Sequence, residues 1–199
     1  MREETRAARQ DQIEQAAYAV LEEKGYAATS MLAIAKRARA SNETLYNWYG
    51  DKTGLFRALV MRNADTVRSL LEVSLASGAP PLETLRVLGP QLLELLISPR
   101  AVQLNRAAAA DPTGELGAVI AERGRESVAP LIGDVLVRAK TEGLIGFEEV
   151  SDAIGLYLDL LVGDLQIRRV IGRQPPLDEA AIAARAERAL QRFLRLSGQ

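Results

Sequence analysis

The chain has 199 residues, 48% of them hydrophobic, and a formal net charge of −1. That composition supports a sizeable core and excludes both a disordered chain and a polycation whose overall field would hold nucleic acid. Cys and His are absent, which excludes disulfides, thiolate zinc sites and nucleophilic Ser-His-Asp or Cys-His systems.

No run approaches the roughly 18 consecutive apolar residues of a membrane span. No apolar stretch follows residues 1–6, so the expectation is a cytoplasmic protein with no membrane contact. Neither a glycine-rich phosphate loop nor an Asp-rich cation loop is present, so no cofactor, metal site or catalytic residue is assigned. An enzyme working through Asp, Glu, Lys or Tyr stays as an alternative, without an assembled constellation to support it.

The pattern is helical throughout. Apolar residues recur at three- and four-residue spacing, and Gly and Pro punctuate helix-length segments. The first helix covers about residues 9–24, with Ile13, Ala16, Ala17, Val20 and Leu21 on one stripe and Gly25 at its end. Ser30 is a good N-cap for a short second helix to about residue 38, whose inner face takes Leu32 or Met31 with Ile34, Ala35 and Ala38. Ser41 caps a third helix to about residue 49, and Asp51 opens a longer fourth through Leu55, Phe56, Leu59 and Val60. Two short helices three residues apart form a helix-turn-helix, in which the second enters the major groove.

Further breaks fall at residues 77–81, 98–99, 111–114, 142–146 and 172–176. They give about nine helices: an all-α chain with a three-helix DNA-binding domain over 1–60 and a larger helical bundle over 61–199. A helix over about 150–171 is apolar nearly all round, and a last one over about 178–196 is amphipathic.

The third helix carries the reading chemistry. Leu45 anchors it, leaving Asn42, Glu43, Thr44, Tyr46, Asn47 and Trp48 to face outward. Asn bonds adenine bidentately and Thr meets a thymine methyl. Tyr46 and Tyr49 offer hydroxyls to phosphate, and Lys52 in the next helix offers an ammonium. Trp48 and Tyr49 stand between two roles, core packing and contact. Glu43 either favours its helix N-terminus or accepts from a cytosine amino group. Between Thr29 and Arg57 the bases Lys36, Arg37, Arg39, Lys52 and Arg57 outnumber the acids Glu43 and Asp51 by three. Arg2, Arg6 and Arg9 offer a minor-groove arm, though Glu3, Glu4 and Asp11 interleave with them, so a solvated end is the other reading.

Residues 25–60 read GYAATSMLAIAKRARASNETLYNWYGDKTGLFRALV. The Gly-Tyr pair, Thr29-Ser30, Ile34-Ala35, Ser41, Thr44-Leu45-Tyr46, Tyr49, Lys52 and Leu55-Phe56 resemble the N-terminal domain of the TetR (tetracycline-repressor) family. The turn usually holds Gly where this chain has Arg39, and a polar or basic residue is common where Leu32 stands. Leu161 to Gln166, Arg168-Arg169, Gly172 and Pro175-Pro176 resemble the C-terminal domain of the AefR-type branch.

The resemblance implies a sequence-specific transcriptional regulator, a repressor released from a palindromic double-stranded operator by a small effector. It implies DNA contacts from Ser30, Arg39, Asn42, Glu43, Thr44, Tyr46, Asn47, Trp48, Tyr49 and Lys52. It implies a homodimer formed by the last two long helices, through Leu160, Gly163, Ile167, Ile182, Ala186, Ala189 and Phe193. An effector pocket would take Leu92, Leu96, Leu104, Asn105, Leu131, Val135, Tyr157 and Leu161, though any one of these could be ordinary core. Their apolar character suggests a mostly apolar effector. A helical interaction adaptor with a vestigial reading head is the third reading.

Overall fold

The computed structural model describes residues 2–198, with side chains from Arg6 onward. Eleven α-helices and one π-helical turn account for the regular structure among them. Two compact units form: residues 1–62 with 103–123, and residues 63–102 with 124–199.

In the first unit, α1 (Arg2–Ala28) carries the expected stripe, and Ile13, Ala16, Ala17, Val20 and Leu21 are all buried. Its regular path breaks at Gly25, where φ is 70°. The Thr29 hydroxyl donates to the Gly25 carbonyl at 2.7 Å, securing the bend. Next comes α2 (Met31–Arg37); the Ser30 hydroxyl accepts from the Ala33 amide at 3.2 Å, as an N-cap should. Met31 takes the inner position and Leu32 is 52% exposed. The pattern repeats at α3 (Asn42–Tyr49), where the Ser41 hydroxyl accepts from the Thr44 amide at 3.0 Å. Asp51 caps α4 (Lys52–Ser77) by accepting from the Gly54 amide at 2.7 Å. Leu104, Ala107, Leu116 and Val119 complete this unit's core. A boundary near residue 60 read from sequence therefore misses a later segment that folds with the first unit.

The second unit is built from α4 beyond Arg62, α5 (Pro81–Ile97), the start of α6 (Pro99–Ala109), α8 (Glu126–Thr141), α9 (Val150–Leu161), α10 (Leu165–Val170) and α11 (Glu179–Leu196). α11 packs on α5 and α9, while α8 packs on α5 and α9. Leu85, Leu88, Leu93, Leu136, Leu161 and Phe193 are fully buried there. Removing each such side chain from water contributes about 1.5–3 kcal/mol.

The chain has more helical segments than the spacing suggests, for two reasons. The stretch after Gly114 divides into α7 (Glu115–Ile120), the π-helical turn Ala121–Arg125, and α8. The helix expected over 150–171 divides into α9 and α10 at Gly163, where φ is 52°. Arg185 of α11 donates to the Leu161 and Val162 carbonyls at 2.6 and 3.0 Å. Carbonyls that a continued helix would satisfy internally are thus met by a side chain from elsewhere. Residues 166 and 169 of α10 serve α5 in the same manner: Gln166 donates to the Leu96 carbonyl at 3.0 Å and Arg169 to the Ile97 carbonyl at 3.1 Å.

Candidate nucleic-acid interface

With Leu45 fully buried, the turn of α3 sends Asn42, Glu43, Tyr46 and Asn47 outward, and all four are exposed. Tyr46 is 49% exposed. Two amides, a phenol and an acceptor-only carboxylate therefore share one uncovered face of a two-turn helix. Thr44 is half-buried, and its hydroxyl lies 2.7 Å from that of Ser41. It belongs to the cap as much as to the outward face. Ser30 is likewise a cap residue with an exposed side chain.

The other expected contacts lie differently. Trp48 is half-buried, with the Arg6 guanidinium 5.6 Å from its ring centre and Tyr49 edge-on to it. The Tyr49 hydroxyl, expected at a phosphate, is buried without a hydrogen-bond partner. Burial, and then the negative charge of Glu14, push its pKa up to about 12, against a smaller opposing effect of Arg62. A phenol in that position is not presented to solvent. Lys52 is also committed: its ammonium sits 4.2 Å from the centre of the Tyr26 ring and donates to the Tyr26 carbonyl at 3.1 Å. It ties the start of α4 to the last turn of α1, beyond the break at Gly25.

Local charge is partly spoken for as well. Arg37 pairs with Glu23 at 2.5 Å, whereas Lys36, Arg39 and Arg57 are exposed. Arg39 has φ of 49°, the left-handed conformation for which a glycine is expected at this turn. For a residue with a Cβ this costs about 1 kcal/mol. The Arg39 carbonyl accepts from the Arg9 guanidinium at 2.7 Å, a contact the sequence alone did not indicate. Arg2, the remaining member of the suggested arm, has a side chain outside the described residues.

The residues suggested for an effector pocket do not share one unit. Leu92, Leu96, Tyr157 and Leu161 belong to the second unit, whereas Leu104 and Asn105 fall in the segment that folds with the first. Leu104 is 3% exposed in the first unit's apolar core. Tyr157 is fully buried; its hydroxyl donates to the Leu85 carbonyl at 3.3 Å, and burial raises its pKa.

Four of the suggested dimer residues require correction. Ile182, Ala186, Ala189 and Phe193 are buried inside a single chain. The reason is that the one apolar stripe of α11 is already consumed by α5 and α9: Phe193 meets Tyr157 edge-on with ring centres 5.6 Å apart. Leu160 is half-buried, Gly163 is exposed, and Ile167 is 56% exposed on α10.

Residues 13–59 match the family described as bacterial regulatory proteins, tetR family, and residues 83–198 match the AefR-like transcriptional repressor C-terminal domain. Among solved structures, a TetR-family transcriptional regulator from Mesorhizobium loti is 27% identical, with 97% of this chain and 98% of that chain covered and a TM-score of 0.78. A TetR transcriptional regulator from Agrobacterium tumefaciens is 27% identical over 96% and 95% of the two chains, at a TM-score of 0.73. The flavonoid-responsive regulator FrrA is 29% identical over 96% and 98%, at a TM-score of 0.69. No curated protein matches the chain in sequence. No helix among the described residues is long and apolar enough to cross a membrane. The two matches together span the reading head and the larger helical unit, and the chain belongs to the TetR family of bacterial transcriptional regulators, with an AefR-like C-terminal domain.

Proposed function

We propose that this protein is a sequence-specific DNA-binding repressor that holds a palindromic operator as a homodimer and leaves it when a small, mostly apolar effector binds. One observation carries the reading: the exposed face of α3, with Asn42, Glu43, Tyr46 and Asn47 outward while Leu45 is fully buried. Its dimensions suit the major groove, and its amides suit adenine edges. Asn47 and Asn42 are the base readers, Tyr46 and Arg39 the flanking contacts. Two copies of the head match a two-fold operator. The outward sides of α9 and α10, with Leu160 and Ile167, supply the dimer contact in this reading.

Effector control rests on the AefR-like repressor domain and on the apolar character of Leu92, Leu96, Tyr157 and Leu161. The relative FrrA is described as flavonoid-responsive, and a flavonoid is a small, largely apolar molecule of the class proposed. Binding that favours one conformer of the dimer shifts the population away from the operator-bound form.

The test is fluorescence anisotropy with duplexes from the region upstream of the protein's own gene. The wild type should prefer one palindromic duplex over a scrambled one by about a thousandfold or more at physiological salt. Asn47→Ala should lose about 1–3 kcal/mol of that discrimination at one position of each half-site. A flavonoid panel should contain at least one compound that releases the duplex. Equal affinity for operator and scrambled DNA would sink the proposal.

A further inference from the structure

Among the described residues, four helices end in the same way. After the last helical turn, one amide bonds back to the carbonyl three residues earlier and the next amide to the carbonyl five residues earlier. At the end of α4 these are Gly78 to Leu75 and Ala79 to Ser74; after α8, Gly143 to Lys140 and Leu144 to Ala139; after α10, Gly172 to Arg169 and Arg173 to Arg168. In all three the turning residue is glycine with φ near 70°: 69° at Gly78, 72° at Gly143 and 74° at Gly172. The fourth end is that of α2, where Arg39 bonds to Lys36 at 3.3 Å and Ala40 to Ala35 at 2.9 Å. Here the turning residue is Arg39, the one non-glycine with positive φ among the described residues. A glycine holds such a turn without strain, whereas a residue with a Cβ does not.

This turn leads directly into α3, so its conformation sets the direction in which Asn42 and Asn47 are presented. It is held from outside. Arg9 of α1, thirty residues earlier, donates to the Arg39 carbonyl at 2.7 Å, and its other terminal nitrogen donates to Gln12 at 2.6 Å. Arg9 is half-buried, with its guanidinium spread between its own helix and the turn. One helical turn earlier, Arg6 covers the Trp48 ring near the far end of α3. The beginning of α1 thus touches the reading helix at both its approach and its exit.

We infer that Arg9 is a positioning residue for operator recognition: its bond to the Arg39 carbonyl locks the left-handed turn and thereby fixes α3 for docking. The arginine stands in for the conformational ease that glycine gives elsewhere in the chain. The inference rests on the proposed DNA-binding function for its consequence. The lock itself belongs to the free protein.

The full-length protein, Arg9→Ala, Arg39→Gly and the double variant are titrated with the operator duplex over a salt series. Arg9→Ala should weaken binding about five- to tenfold, the net worth of one hydrogen bond at a partly exposed site, with an unchanged slope of log K against log salt. In the Arg39→Gly background the same substitution should change binding by less than about twofold, because glycine keeps the turn unaided. A slope reduced by about one unit would assign Arg9 to a phosphate and overturn the inference. So would an equal loss in both backgrounds, or no loss in either. Amide exchange in the free protein is the second readout: Arg9→Ala should speed exchange of the Arg39 and Ala40 amides several-fold when residue 39 is Arg, and not when it is Gly. If the wild type fails to distinguish operator from scrambled duplex, the proposed function falls while the exchange experiment still judges the lock. Unaltered exchange in Arg9→Ala overturns it.

Discussion

Ala186 lies so close to Gly89 that a methyl built on the glycine would meet the Ala186 Cβ at 3.2 Å, and the Tyr157 hydroxyl at 3.3 Å. The small pair lets α11 settle against α5, and it places the small-residue stripe of α11 inside one chain. Ala186→Leu adds three carbons where there is no space for them. Overpacking of that kind costs about 1–3 kcal/mol. A lower Tm at every protein concentration is expected in thermal unfolding. An unchanged Tm with altered dimer dissociation would instead place this stripe at the contact between chains.

Tyr49→Phe should be neutral or stabilising. The wild-type hydroxyl is buried without a partner, and a buried unsatisfied group of this kind costs about 1–3 kcal/mol, part of which its removal recovers. Operator binding should be unaffected, since the ring is retained and the hydroxyl faces inward. A fall in affinity with intact stability would restore Tyr49 to the phosphate contacts.

The same residue gives a pH dependence. The folded-state pKa of Tyr49 is raised to about 12 from its ordinary value of 10.0. The folded protein holds the phenolic proton more tightly than the unfolded chain. This contribution is therefore complete below about pH 10 and is lost as pH rises from about 10 towards 12. Alkaline denaturation of Tyr49→Phe should show a shallower loss of stability across that window than the wild type. Parallel curves for the two proteins would contradict the burial assigned to this hydroxyl.

Lys52→Met tests whether that ammonium is a structural tie. It gives up the bond to the Tyr26 carbonyl and the seat over the Tyr26 ring. The first unit should lose about 1–2 kcal/mol, read by urea unfolding. The salt slope of operator binding should stay the same. A reduced slope with unchanged stability would mean that Lys52 reaches phosphate.

Arg185→Ala removes the donors to the Leu161 and Val162 carbonyls. The guanidinium is partly exposed, and water can replace some of what is lost, so about 1–2 kcal/mol is expected in chemical denaturation. Far-ultraviolet circular dichroism should hold while the midpoint falls. An unchanged midpoint would show that Gly163 alone maintains the break between α9 and α10.

Much of the reading head was legible in the sequence because its determinants are local. A serine hydroxyl reaches an amide three residues on whatever surrounds it, so Ser30 and Ser41 announce their helices. The 3.6-residue period likewise puts Leu45 inward and Asn42, Glu43, Tyr46 and Asn47 outward before any neighbour is known. The family resemblance extended that frame to the rest of the chain. What periodicity cannot specify is the partner of a buried face. Ile182, Ala186, Ala189 and Phe193 read as a stripe needing cover, and only the tertiary structure supplied α5 and α9 of the same chain in place of a second copy. Leu104 was legible as apolar, but not the unit that would bury it. Tyr49 and Lys52 carry groups that suit phosphate, and only the tertiary structure shows that the Tyr49 hydroxyl is buried and the Lys52 ammonium sits over the Tyr26 ring. Sequence also marked Arg39 as a misfit in a glycine position. The bond that holds it comes from Arg9, thirty residues away, and such a separation is bridged only when α1 folds back along the turn.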